Sequence, residues 1–349
     1  MTFPRRLESV IFRVDAGLGI GAGHALRCLT VAAALKERFD GKIKFVFRSM
    51  HPELRERIAE LDFGITEIPV DGVSDVDAIE SEARRSGPSA VVVDSYRPEL
   101  YAPSAQARIR GASAKFIFIV FDPAAHYLAD VLHNQNPRAR IEDFSVESYT
   151  KCLFGLGFLV LRSDVRRAAL TTHPADTLPA AMTVLLTFGS SDAHQMSEHA
   201  LQALEFVEGP ISKVLVVVGS LCERGEAIAE LARRSRYDVE VFHDPPNLTE
   251  LMVACDIGLT AGGTTNWELG AIGRPLVILP VGSRETSSAC HLAELGWAQV
   301  IFDATSMTPR ELGKALSRAL SARALDCARR LRLAINLDGV ERLVDEILE

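Results

Sequence analysis

The sequence predicts an α/β protein built as two doubly wound units that face each other across a cleft. Three observations carry this. Strand-like apolar runs alternate with helix-like periodic runs along most of the 349 residues. Runs such as Ala90-Val91-Val92-Val93 are apolar without alternation, which suits a parallel sheet covered on both faces. The chain is also too long for one ordinary core. Its rhythm breaks at a polar stretch ending Thr171-Thr172-His173-Pro174-Ala175-Asp176-Thr177-Leu178-Pro179. The expected organisation is a first unit at 1–165, a linker at 166–179 and a second unit at 180–349.

In the first unit, strands are expected at 10–14, 42–47, 65–69, 90–94 and 115–121. Helices at 52–61, 75–85 and 100–109 lie between them, and another opens at His24. In the second, strands are expected at 182–188, 213–218, 239–242, 257–260, 276–279 and 299–302. Helices near 194–206, 227–234, 248–255, 265–272 and 289–295 alternate with these. Ligands of open α/β sheets bind beyond the carboxyl ends of the strands, so the site is expected in the cleft.

Composition narrows the function. With 48% hydrophobic and 24% charged residues the chain is globular. A formal net charge of −8 speaks against a nucleic-acid partner, whose binding draws on Lys and Arg. Cys28, Cys152, Cys222, Cys255, Cys290 and Cys327 are scattered, which reads as reduced thiols rather than a zinc or disulfide framework. Cys28, one turn past His24, reads as core packing in an apolar helix. No apolar run is long enough for a signal peptide or a membrane span, and the expected location is cytoplasmic.

The segment Arg13-Val14-Asp15-Ala16-Gly17-Leu18-Gly19-Ile20-Gly21-Ala22-Gly23-His24 carries the most chemistry. A strand gives way to a glycine-rich loop, which lets main-chain N–H groups approach a ligand. His24 then opens a helix. A helix N-terminus favours anions over an imidazolium, which suits a general base. The other reading is a first-turn residue that only hydrogen-bonds locally. Gly17-x-Gly19-x-x-Ala22 also fits a loose dinucleotide fingerprint, but the next strand ends in Arg48 where that fingerprint needs an acid.

The companion segment is Thr260-Ala261-Gly262-Gly263-Thr264-Thr265-Asn266-Trp267-Glu268. A strand ends, Gly262 and Gly263 expose backbone N–H groups, and Thr264 and Thr265 are placed to cap a helix. This is an anion seat for a diphosphate, with Glu268 one turn in and suited to ribose hydroxyls. A capped turn with a dipole-complementing Glu is the alternative. Phe188-Gly189-Ser190-Ser191-Asp192 has the same strand–turn–helix design and would add donors. Asp192, His194, Glu198 and His199 invite a metal reading, but the His residues five apart do not share a helix face. No metal and no cofactor are expected. Asp94-Ser95-Tyr96 and Asp122 end strands on the first unit's side, where Tyr96 could hydrogen-bond a sugar.

These blocks together resemble the pseudaminic-acid-pathway UDP-sugar hydrolases and the glycosyltransferase-like spore-coat polysaccharide proteins. The matching residues are Arg13-x-Asp15, Ile20-Gly21-x-Gly23-His24, Arg27-Cys28-Leu29, Val93 to Tyr96, Asp130 to Asn136, Gly155 to Arg162, Phe188 to Asp192 and Ala261 to Leu269. The resemblance implies a GT-B-like fold and metal-independent release of UDP from a 2,4-diacetamido-2,4,6-trideoxy hexose. The alternatives are a GT-B glycosyltransferase and a non-catalytic nucleotide-sugar binder. On this reading His24 is the base and Asp15 orients it or binds a sugar hydroxyl. Gly262, Gly263, Thr264, Thr265, Glu268, Gly189, Ser190 and Ser191 hold the nucleotide. Arg13, Gly21, Gly23, Tyr96 and Asn136 hold the sugar. Ser95, Pro123 and Gly17 depart from residues that members often carry.

Overall fold

The computed structural model describes residues 6–16, 22–69, 72–121, 123 and 125–349. Gly21, with the loop at 17–21, and Asp122 lie outside the described residues. The chain forms two units, one of Met1–Leu161 with Asn336–Glu349, the other of Arg162–Ile335.

The first unit runs β1 (Ser9–Val14), α1 (Gly23–Lys36), β2 (Lys42–Phe47), α2 (Pro52–Glu60), β3 (Gly64–Glu67), α3 (Asp75–Arg85) and β4 (Ser89–Asp94). It continues through α4 (Pro103–Ala112), β5 (Lys115–Ile119), β6 (His126–Tyr127), β7 (Val131–Asn134), β8 (Ser145–Val146) and β9 (Lys151–Phe154). Seven strands form one parallel sheet in the order β3-β2-β1-β4-β5-β7-β9. Its central strands β1, β4 and β5 are mainly apolar because both faces are covered. Val10, Phe12 and Val14 of β1 join Ala90 and Val92 of β4 in one core with α1. Ile11, Val91 and Val93 point the other way, into the core with α3 and α4. Phe12 stacks on Phe45 at 5.1 Å. Truncating it to Ala costs about 3–5 kcal/mol.

The second unit runs α5 (Ser163–Thr171), β10 (Met182–Thr187), α6 (Met196–Leu204), β11 (Ile211–Val218), α7 (Gly225–Arg234), β12 (Asp238–His243), α8 (Leu248–Ala254) and β13 (Ile257–Thr260). It continues with α9 (Thr265–Ile272), β14 (Leu276–Ile278), α10 (Ser283–Glu294), β15 (Gln299–Val300), α11 (Pro309–Ala319) and α12 (Ala322–Ala334). Its sheet is also parallel, in the order β12-β11-β10-β13-β14-β15. In each unit the order reverses once, between β1 and β4 and between β10 and β13. The crevice at such a reversal is where doubly wound sheets bind ligands.

Two boundaries differ from expectation. The last helix, α13 (Gly339–Leu348), belongs to the first unit, not to a domain at 180–349. Its apolar stripe Val340, Leu343, Val344 and Ile347 is buried in the first core beside α1, and Arg38 Nη2 lies 2.6 Å from Asp345. The expected linker at 166–179 is helical at its start, because α5 buries Val165 and Ala169 and packs on α9. The strands β6 to β9 and the helices α11 to α13 are additions to the expected series. No helix among the described residues is long and apolar enough to cross a membrane.

Candidate active site

In the first unit the residues at the sheet reversal are charged and buried. Asp94 ends β4 and is fully buried. His24, the second residue of α1, brings Nδ1 to 2.6 Å from Asp94 Oδ1. Arg27, one turn on along the same helix face, donates from Nε to Oδ2 and from Nη2 to Oδ1, each at 2.8 Å. The Cys28 thiol lies 3.6 Å from Oδ2. Burial alone would raise the Asp94 carboxyl, but Arg27 and then His24 hold it below the ordinary carboxylate value. Burial, with Asp94 beside it, pushes the Cys28 thiol far up, so it is no nucleophile.

This arrangement assigns the tautomer. Asp94 can only accept, so Nδ1 carries the proton and Nε2 keeps the lone pair. Tyr96 packs edge-on against the imidazole at 4.5 Å and Phe121 at 5.5 Å. A buried, oriented imidazole with one basic nitrogen is the equipment of a general base.

Two expected roles are corrected. Asp15 does not orient His24. Its Oδ2 accepts from Arg13 Nη2 at 2.7 Å and Arg97 Nε at 3.2 Å, and its Oδ1 from the N–H groups of Arg48 and Ser49. Burial raises its carboxyl, but Arg13 and the two N–H groups bring it below its usual value. Arg13 does not reach a sugar either. It is fully buried, and its Nη2 is shared between Asp15 and Asp75 at 2.7 and 2.9 Å. Strand alternation sends Arg13 and Val14 to opposite faces, and Arg13 ties Asp15 to Asp75 at the start of α3.

The other sugar candidates are placed separately. A Cβ at Gly23 would meet nothing within 4 Å, so this position is open. Asn136 is exposed in the turn after β7, where its Oδ1 accepts from Arg138 N at 3.0 Å. Sequence reasoning missed Asp94 and Arg27 as partners of His24. The signal was available: β4 sits beside β1 at the reversal, and Arg27 stands three residues past His24.

In the second unit the same topological position is built from backbone and hydroxyls. Gly262 takes φ +114°, a conformation that favours glycine. Gly263 has open space where a Cβ would sit. Thr264 is the N-cap of α9, yet it has helical angles and no side chain caps the helix end. The expected hydroxyl cap is therefore corrected. The N–H groups of Asn266 and Trp267 go to the Gly263 and Thr264 carbonyls at 3.2 and 3.0 Å, and those of Gly263, Thr264 and Thr265 ahead of them are the ones placed for a ligand. Thr260 donates to Asn266, which is buried on the first turn.

Glu268 is 14% exposed and accepts from Arg162 Nε at 2.8 Å through Oε1. Burial raises the Glu268 carboxyl and Arg162 offsets only part of that. Arg162, which sequence reasoning gave no role, also reaches Thr249 at 3.2 Å and Asp164 at 3.3 Å.

After β10, Gly189 turns the chain at φ +89°, and Gly219 fits against it so closely that a Cβ would lie 2.4 Å from Ser190. Ser190 and Ser191 follow, but the helix beyond them is already capped. Asp192 accepts from the N–H groups of Met196 and Ser197 at 2.8 and 2.9 Å. Glu198 pairs with Arg224, and His199 Nε2 meets the Ala304 carbonyl. Among the described residues no group of three or more His, Cys, Asp or Glu side chains could hold a metal ion.

Residues 183–332 match the glycosyltransferase family 28 C-terminal domain. An uncharacterized protein of Methanocaldococcus jannaschii is 24% identical over 76% of this chain and 54% of its own length. The UDP-N-acetylglucosamine--N-acetylmuramyl-(pentapeptide) pyrophosphoryl-undecaprenol N-acetylglucosamine transferase of Nitrobacter hamburgensis is 30% identical over 48% of this chain and 47% of its own. The chain thus spans about half the length of the curated relatives it matches. Among solved structures, MurG of Acinetobacter baumannii is similar with a TM-score of 0.69 at 16% identity, over 98% of this chain and 99% of that one. Anabaena HepE, solved in complex with UDP-glucose, is similar with a TM-score of 0.59 at 13% identity, over 97% and 98%. These likenesses show the fold, which is GT-B: two α/β units, each with a parallel sheet.

Proposed function

We propose that the protein transfers a sugar from a UDP-sugar to an acceptor hydroxyl. The observation that carries this is the buried His24–Asp94 pair at the reversal of the first sheet, 2.6 Å apart. His24 Nε2 takes the proton of the acceptor hydroxyl as its oxygen attacks the anomeric carbon. The bond to the β-phosphate oxygen breaks, UDP leaves, and the anomeric configuration inverts because there is one displacement. The N–H groups at the start of α9 stabilise the charge that develops on the diphosphate. Gly262, Gly263, Thr264 and Thr265 approach the phosphates, with Gly189, Ser190 and Ser191 as further donors. Glu268 Oε2 accepts from ribose hydroxyls. Tyr96 and Gly23 border the sugar.

The family 28 match over 183–332 supports transfer ahead of hydrolysis. Hydrolysis of a UDP-linked deoxy amino sugar is the second reading, favoured by the ordered blocks from Arg13 to Leu269. It uses the same base on water. A hydrolase admits water to the anomeric carbon and a transferase excludes it.

The test is release of UDP from a panel of UDP-sugars, with and without acceptors extracted from cells, products identified by mass. Transfer predicts UDP release that depends on acceptor. Release at the same rate in buffer alone establishes the hydrolase reading. Neither release nor UDP binding overturns both. EDTA is expected to leave the rate unchanged, since the helix end does the work on the diphosphate.

A further inference from the structure

An aspartate hydrogen-bonded to a histidine has two opposed effects. It fixes the tautomer, and its charge favours the imidazolium, which has no lone pair for an incoming proton. Asp94 is fully buried and 2.6 Å from His24, so its field on the ring is close and poorly screened.

Arg27 answers that field. Its guanidinium spans both oxygens of Asp94 at 2.8 Å, and Nη2 also stands 3.3 Å from His24 Nδ1. The side chain is 6% exposed and lies over the Phe121 ring at 4.7 Å. A guanidinium keeps its charge at every working pH. We propose that Arg27 is a positioning residue that offsets the charge of Asp94, so that the carboxylate orients His24 without trapping it as imidazolium. The inference rests on the reading of His24 as the base.

The other groups around the ring leave this pair in control. From α1, the Cys28 thiol stays protonated, because burial and Asp94 push it far up. From β7, His133 is buried with Nε2 on the Phe158 carbonyl, and burial pushes it down to about 4, so it is neutral. From the segment after β4, the Tyr96 ring stands at 86° to the imidazole. Asp94 and Arg27, at 2.6 and 3.3 Å from His24 Nδ1, carry opposite unit charges.

The test uses the full chain labelled with 15N-histidine, the His24 signal being assigned by its loss in His24→Gln. Arg27→Gln removes the charge; Arg27→Lys keeps it and loses the fork. In Arg27→Gln the titration midpoint of His24 should rise by about one pH unit or more. The acidic limb of kcat/KM for UDP-sugar turnover should move with it. In Arg27→Lys the midpoint should stay near wild type, even where turnover falls. Circular dichroism and a UDP-induced melting shift report folding. Should Arg27→Gln not fold, Asp94→Asn carries the test, because Arg27 then acts alone and should lower the midpoint by about one unit. An unmoved midpoint in folded Arg27→Gln, an equal rise in Arg27→Lys, or no fall in Asp94→Asn overturns the proposal. Midpoints that move as stated in a protein that turns over no UDP-sugar sink the transfer reading and leave the role of Arg27 standing.

Discussion

At the carboxyl end of β4, Asp94 gathers His24, Arg27 and Cys28 in a buried, ion-paired cluster. At the carboxyl end of β13, the matching position in the other sheet is held by Gly262, Gly263, Thr264 and Thr265, ahead of a helix end that no side chain caps. The two sheets share one topology and differ in what sits at its reversal. Proton handling needs charges held in a low dielectric, where each shifts its neighbours. Anion binding needs open N–H groups and no fixed carboxylate competing for them. The second sheet shows both outcomes itself: α6 is capped by Asp192 and α9 is not.

The sharpest break of this comparison is His24→Ala. If the first unit supplies the chemistry, kcat falls roughly 10² to 10⁴-fold, while UDP affinity barely changes. Near wild-type kcat at saturating substrate would reduce His24 to a loop residue.

Acid should part the two units. In the first, Asp15, Asp75 and Asp94 sit below their ordinary values, and Glu82 is lowered to about 2, because Lys44 and Arg85 outweigh its burial. A lowered carboxylate stabilises the fold above its unfolded value and loses that contribution as pH falls through the folded one. For Glu82 the window runs from the ordinary glutamate value of 4.5 down to about 2. In the second unit, burial raises Asp192 and Glu268. Their contribution is present in acid and lost as pH rises. Hydrogen exchange read by mass spectrometry across this window should show β1, β4 and α3 losing protection before β10 and β13. Simultaneous loss in both sheets would mean the buried pairs do not govern acid stability.

Ligand binding should mark the second unit. UDP at a hundred times its dissociation constant adds about 2.7 kcal/mol to stability, and NADP adds nothing. A melting shift with NADP and none with UDP would restore the dinucleotide reading of the first glycine loop.

The smallest effects lie within the anion seat. Gly263→Ala has room for its Cβ and should fold normally, yet the methyl stands where a phosphate approaches. UDP affinity should fall about ten-fold, the scale of one lost hydrogen bond. Glu268→Ala should raise KM by about the same factor with less effect on kcat. Unchanged isothermal titration curves for both variants would move the nucleotide elsewhere.

Much of this was legible in the chain. The strands 42–47 and 257–260 and the helices 75–85 and 265–272 stand where apolar runs and turn residues place them. His24 and the Gly262–Gly263 turn announce themselves because strand, glycine and helix start are adjacent in sequence. The stripe Val340, Leu343, Val344 and Ile347 says helix but not which core it joins, since periodicity records a buried face and not its partner.

The sequence by itself determined two doubly wound units and the loops that bear their chemistry, because these follow from local periodicity and turn chemistry. Only the tertiary structure decided which carboxylate serves His24. Asp15 lies nine residues away and Asp94 lies 70 away, yet parallel pairing sets Val14 against Asp94 and brings the distant one to the ring. Alternation along β1 meanwhile buries Arg13, which holds Asp15 beside Asp75. Partner choice is a matter of strand order and side-chain direction, and neither is written in the spacing of residues along the chain.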